Sequence, residues 1–408
     1  MSLVLGGGRV VTSLSPGRVV DGDVLIEDGR VAGVGEVTPS PGSSRIDCSG
    51  CLVIPGNVCA HTHVYSALAR GMPFGLTAPG NFVEILQRVW WRLDRALDED
   101  SIRASAQVGA MEALLAGTTT LVDHHASPNA IDGSLDVVAQ AFSSLGLRSV
   151  LCYEVSDRDG AERARAGVAE NRRFALAARG TLVRGMIGAH ASFTLSEETL
   201  AACVDAAREA AVGIHVHLAE DAADERDSEA RFGMRVAERL ERAGALTPKA
   251  LAAHCVHVDA RECVVVRTTR TTVAHNPRSN MNNGVGRTPL GALGAVALGT
   301  DGIGADMFEE SRNGFFRFRE DALDAPYDWP LARLAEGARF AGRAFGEPLL
   351  GTLVPGAPAD AVVLDYAAPA PIDGGNLAGH WVFGLGSRAV RDVIVGGEVV
   401  VRDRALTR

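Results

Sequence analysis

Eight short apolar runs alternate with helix-like stretches through the middle of this chain. The runs cover residues 52–59, 119–123, 149–152, 185–189, 213–218, 251–255, 272–274 and 297–299. Helix-like stretches such as 101–116, 161–178 and 222–243 separate most of them. Eight strand–helix units of this kind predict an α/β architecture, a parallel (β/α)8 TIM barrel. A length of 408 residues suits one such barrel with a small accessory domain. The two ends read differently from the middle. Residues 4–11, 19–27 and 30–34 are short β-like runs broken by Gly and Asp-Gly turns. Residues 361–365 and 390–401 repeat that texture, with Gly396-Gly397 as a hairpin turn. The expected division is therefore 1–54 plus 346–408 for a small β domain built from both termini, and 55–345 for the barrel.

Barrel chemistry gathers at the C-terminal ends of the strands. Ten of the 11 histidines lie in the barrel segment, most of them at expected strand ends. His61-Thr62-His63 closes the first strand, and residues two apart share a face, so both imidazoles point toward the barrel mouth. His215-Val216-His217 ends the fifth, with Glu220 three residues on. The expected metal ligand there is His217, with His215 one layer deeper. His254 ends the sixth strand and Asp301 the eighth, within Thr300-Asp301-Gly302. Three imidazoles and a carboxylate can hold one divalent metal ion, zinc being the first expectation and iron compatible with the same donors. A further carboxylate, Glu220, and a further imidazole, His254, then remain for proton work. That set belongs to a metal-assisted hydrolase. His190 and His124 follow strands four and two and are expected to contact substrate.

Composition narrows the partners. A net charge of -10 without a basic stripe argues against nucleic acid and against anionic membranes. No run is long and apolar enough to predict a membrane span. The first residues lack the basic and apolar regions of a signal peptide, and the seven cysteines are odd in number and scattered. A cytoplasmic protein acting on a small-molecule substrate is the expectation.

At these residues the chain resembles the amidohydrolase superfamily, in its cytosine deaminase, chlorohydrolase and adenosine-type deaminase branch. The motifs are Pro55-Gly56 before His61-Thr62-His63, then His217-Leu218-Ala219-Glu220, Ala253-His254-Cys255, the segment from His275 to Asn280, and Thr300-Asp301-Gly302. The resemblance implies a β-sandwich for the domain built from the two termini. It implies one metal held by His61, His63, His217 and Asp301. It also implies proton-handling roles for Glu220, His254 and Asp301. Another branch bridges two metals with a carbamylated lysine on strand four. Lys249, before strand six, is the only lysine here, so that arrangement is excluded.

A closer resemblance, to the aminohydrolases labelled SsnA, rests on Asn81 to Glu84, Trp90-Trp91, Asp123 to Pro128 and Met281 to Asn283. The long segment 71–93 holds Phe74, Phe82, Glu84, Trp90 and Trp91. By resemblance it caps the pocket, with Glu84 and Trp91 near the substrate. The expected reaction is deamination of an amino-substituted heterocycle such as a purine- or pterin-like compound, or of an amidine. Hydrolytic ring opening of a cyclic amide is the alternative, and a silent binding or scaffold protein the remote one. The resemblance allows a homo-oligomer, dimer or larger.

Overall fold

A computed structural model describes residues 2–73, 75–178 and 180–408. Phe74, expected near the pocket, lies outside the described residues. β1 (Ser2–Leu14), β2 (Gly17–Glu27) and β3 (Arg30–Gly35) form an antiparallel meander. The turn between β2 and β3 is Asp28-Gly29, both at positive φ (48° and 79°), as two-residue hairpins require. β4 (Ser44–Asp47) and β5 (Leu52–Pro55) lie parallel to β1.

The barrel strands follow. They are β6 (Asn57–Thr62), β7 (Thr118–His125), β8 (Arg148–Tyr153), β9 (Val183–Gly185) and β10 (Ile187–Ala191). Then come β11 (Ile214–Leu218), β12 (Leu251–His254), β13 (Thr272–His275) and β14 (Val296–Leu298). β6 to β9 and β10 to β14 are two all-parallel sheets. Met186 interrupts one barrel strand into β9 and β10, and its N–H donates to Leu151 O at 2.9 Å. The seams close through parallel bridges between Val155 and Ala189 and between Thr62 and Asp301. Residues of β6, β7, β8 and β10 to β14 are buried throughout, as expected when helices cover a parallel sheet.

The chain then returns to the terminal sheet. β15 (Ala361–Leu364) pairs antiparallel with β5, and β16 (Val390–Val395), β17 (Glu398–Arg402) and β18 (Ala405–Leu406) extend it. The order is β18-β17-β16-β15-β5-β1-β2-β3, with β4 also on β1. This β-sandwich unit has its own apolar cluster, including Leu5, Val24, Ile26, Val53, Val363 and Ile394. Among the described residues no helix is long and apolar enough to cross a membrane.

Two expectations need correction. The apolar run 52–59 is not one strand: Leu52–Pro55 belongs to the terminal sheet and Asn57–Thr62 starts the barrel. The crossing point is Gly56, where a Cβ would lie 2.2 Å from Thr119 Oγ1, so only glycine fits. The helix expected over 222–243 is two, Ala222–Phe232 and Val236–Ala243, because Gly233 takes φ 67° and caps the first.

One buried ion pair ties the two units together. Arg148 of β8 meets Asp360, just before β15, through Nε to Oδ2 and Nη2 to Oδ1, both 2.9 Å. Removing one partner leaves a buried charge alone, which typically costs about 3–5 kcal/mol. Denaturant unfolding of Asp360→Ala is expected to show a loss of that order. A loss under about 1 kcal/mol would mean that the pair is not isolated from water.

Candidate metal centre and active site

His61 and His63 leave the end of β6 and its following loop, His217 leaves β11, and Asp301 follows β14. The ligand atoms of these four lie within 4.8 Å of one another. Hydrogen bonds fix which ring nitrogen each histidine offers. His63 Nδ1 donates to His124 O at 2.6 Å, and His217 Nδ1 donates to His190 O at 2.9 Å. A carbonyl only accepts, so in the neutral rings that a metal requires both Nε2 atoms carry the lone pairs. They face each other at 3.1 Å. Two lone pairs that close repel unless a cation sits between them, and this contact suits the donor set to a divalent metal.

His61 is fixed through a relay. The Cys152 thiol donates to Asp123 O at 3.6 Å, so its sulfur accepts from His215 Nδ1 at 3.6 Å. His215 Nε2 then accepts from His61 Nδ1 at 2.8 Å. His61 Nε2 is left buried, without a hydrogen bond, 3.4 Å from Asp301 Oδ1. Outer partners of this kind are worth about 10- to 100-fold in metal affinity. His215→Ala is expected to weaken zinc binding by that factor in competition with a chelator. Unchanged affinity would show that the relay is idle.

Asp301 has its Oδ1 3.0 Å from His63 Nε2, and its Oδ2 accepts from the Ser279 hydroxyl. Burial, reinforced by the Asp301 charge, pushes the Glu220 carboxyl well above its usual range. Glu220 Oε2 lies 3.5 Å from His254 Nε2, and Oε1 accepts from Asn283 at 3.4 Å. His254 Nδ1 donates to Asn280 Oδ1 at 2.8 Å, which leaves Nε2 unprotonated and, like His61 Nε2, without a hydrogen-bond partner. Burial lowers its pKa.

Backbone strain aims these groups. Ala219, His254, Cys255 and Asp301 all take positive φ (47°, 71°, 50° and 55°). Non-glycine residues there cost about 1–3 kcal/mol each, and such strain gathers at functional sites.

A cavity opens over this cluster. Phe82, Leu86, Trp90 and Trp91 line it from the helical segment 82–93. Asn81 caps that helix, whose middle turn, Leu86–Trp90, is π-helical, a bulge common at functional sites. Phe82 and Leu86 pack on Val256 and Val285. His190 and Trp91 both reach the cavity. Glu84 does not match its expected role. Its carboxylate accepts from Gly80 N at 2.8 Å and meets Arg88 at 3.2 Å, outside the lining, because it completes the helix start. His124 is also outside the lining. It is fully buried, with Nδ1 3.3 Å from Glu154 and Nε2 donating to His215 O at 3.2 Å.

Sequence reading missed Glu154, Arg158 and Asn283, all in the cavity wall. Glu154 directly follows β8, so the strand-end rule applied to the third strand could have found it. Its carboxylate lies 3.3 Å from His124 Nδ1 and 3.7 Å from Arg158 Nη2. Burial pushes His190 down to about 4, so its ring is neutral near pH 7.

Residues 52–400 match the model of the amidohydrolase family. The chain is 33% identical to a 5-methylthioadenosine/S-adenosylhomocysteine deaminase of Desulforudis audaxviator, over 94% of this chain and 90% of that protein. It is 32% identical to a 5'-deoxyadenosine deaminase of Methanothermobacter thermautotrophicus, over 99% and 94%. Its fold is similar to an adenosine deaminase from Xanthomonas campestris solved with bound zinc, with a TM-score of 0.86 and 24% identity over 99% of this chain and 94% of that one. With a family match across nearly its whole length, the chain belongs to the amidohydrolase family.

Proposed function

We propose that this protein is a zinc-dependent hydrolytic deaminase that removes the amino group from the adenine ring of a nucleoside altered at the 5' position. One observation carries the reading: the four donors of His61, His63, His217 and Asp301 converge beside Glu220 and His254, beneath a cavity that His63, His217, Glu220 and Asp301 line. The two curated deaminases at 33% and 32% identity supply the substrate class. Phe82, Trp90, Trp91 and Asn283, all within segments that are SsnA-like, line the cavity and suit a flat purine.

A divalent ion in this donor set supplies Lewis acidity and lowers the pKa of a water molecule from 15.7 to about 7. The protein's own groups do the rest. Asp301 accepts a proton from the attacking water. His254, its Nε2 unprotonated, orients that water toward the ring carbon. Glu220, which keeps its proton, donates it to the adjacent ring nitrogen. Asp301 then passes the water's proton to the leaving amine, which departs as ammonia, while Glu220 regains a proton from the new hydroxyl as the carbonyl forms. Trp91 and the apolar face of the 82–93 segment exclude bulk water. The same reading divides the chain into 1–54 plus 346–408 and 55–345, supported by the separate apolar cluster of the terminal sheet.

The test is a panel of 5'-deoxyadenosine, 5'-methylthioadenosine, S-adenosylhomocysteine and adenosine, followed by loss of adenine absorbance in zinc-loaded protein. The 5'-altered compounds are expected to exceed adenosine in kcat/KM by at least about tenfold, the scale of one well-placed group in an apolar pocket. A preference for adenosine would contradict the 5' specificity, and inertness toward all four would contradict the nucleoside class.

A further inference from the structure

His190 and Glu154 face the same cavity from neighbouring strand ends, and both offer acceptors to it. Thr194 fixes the tautomer of His190. The Thr194 hydroxyl donates to Ala191 O at 3.0 Å, so its oxygen accepts from His190 Nδ1 at 2.7 Å. His190 Nε2 therefore carries a lone pair. It lies 3.8 Å from Glu154 Oε1. The Glu154 carboxylate has cations beside it, but at a distance: Arg158 Nη2 is 3.7 Å away. Arg158 itself pairs with Asp94 and Asp159 and stacks over Trp91 at 5.2 Å, with its Nη1 left without a hydrogen-bond partner. Glu154 is 5% exposed and His190 6%, so little bulk water reaches either. Two acceptors thus converge on the cavity, and a ligand donor placed there satisfies both.

We propose that Glu154 is a specificity-determining residue, whose carboxylate and the lone pair of His190 Nε2 together select a substrate offering an O–H or N–H donor at that wall. The inference rests on the deaminase reading. In a nucleoside the donor is a sugar hydroxyl; in a free base it is a ring N–H. Thr194 is a positioning residue in this scheme, because it acts through His190.

The test uses zinc-loaded holoenzyme and matched pairs. 5'-Deoxyadenosine is compared with 2',5'-dideoxyadenosine and with 3',5'-dideoxyadenosine, and adenine with 9-methyladenine. Each pair is read twice, as kcat/KM and as Kd from quenching of tryptophan fluorescence. In the wild-type protein one pair is expected to differ by about 10- to 100-fold, the range for a hydrogen bond to a charged group. The sugar pairs and the base pair identify which donor is read. Glu154→Gln keeps shape and polarity but loses the charge, and should reduce that ratio about tenfold. Thr194→Val frees the His190 ring and should reduce the same ratio, with zinc content unchanged. The ratio is internal to each protein, so a partly misfolded variant still reports it. An unchanged ratio in both variants, or no discrimination in any pair by wild type, would overturn the inference and leave the deaminase reading standing. Absence of turnover on every compound would remove that reading instead, and the Kd ratios alone would then decide this one.

Discussion

Glu220→Gln is expected to lower kcat by about 10²- to 10⁴-fold, the worth of one general acid–base group, with fold and metal content intact. Glutamine matches the shape of the side chain and keeps a contact with Asn283, which lies 3.4 Å from Oε1. It cannot release or take a proton. Burial and the nearby Asp301 charge hold the Glu220 carboxyl in its protonated form, and that form is what a ring nitrogen needs from a donor. KM should change little, because the lost interaction is made in the transition state. The measurement is steady-state kinetics on protein whose zinc content and circular dichroism match wild type. Turnover within about tenfold of wild type would assign the proton to another group.

Asp301→Asn is expected to fail twice. It removes an anionic donor, so zinc affinity should fall by more than the about 10- to 100-fold that an outer partner is worth. It also removes the base, so saturating zinc should leave kcat about 10²- to 10⁴-fold down. Competition with a chelator reads the first loss and kinetics at rising zinc the second. The Asn side chain can still accept from Ser279, and the backbone bridge to Thr62 does not involve the side chain, so the fold should hold. Full rescue by added zinc would reduce Asp301 to a ligand with no part in proton transfer.

These two residues were legible in the sequence for one reason. Each stands three or fewer positions past an apolar run, where barrel strands deliver side chains to the mouth. His61, His63, His217 and His254 were legible on the same ground. The capping segment was legible through the resemblance, and its helix brings Phe82, Leu86 and Trp90 to the cavity. What it carries was not. Glu84 sits where resemblance expects a substrate contact, yet the same carboxylate also starts its helix and pairs with Arg88. Charge and spacing do not tell those uses apart. His124 resembles a mouth residue by position, but its ring turns inward beneath Glu154. Glu154 was missed because a lone carboxylate carries no spacing signal, and its partners His124 and His190 come from different segments. In the run 52–59 apolar character continues across a change of sheet, so hydropathy gives no sign of the break. Pro55-Gly56 is the only local mark of it, and the pressure that demands Gly56 comes from Thr119 on the neighbouring strand.

The tautomer chain from Asp123 O through Cys152 and His215 to His61 is a property of packing rather than of motif. It turns a buried hydrogen-bond network into a metal-binding preference, since each imidazole is held with its lone pair toward the centre before any ion arrives. Such preorganisation is what lets four side chains from three strand ends act as one site.

The measurement that bears most directly on the account is ammonia release from 5'-deoxyadenosine by protein carrying one zinc per chain, run beside the same preparation stripped by a chelator and then reloaded. The account predicts one ammonia per nucleoside consumed in the loaded and reloaded samples and none in the stripped one. Nucleoside loss without ammonia, or equal release from the stripped protein, would contradict it.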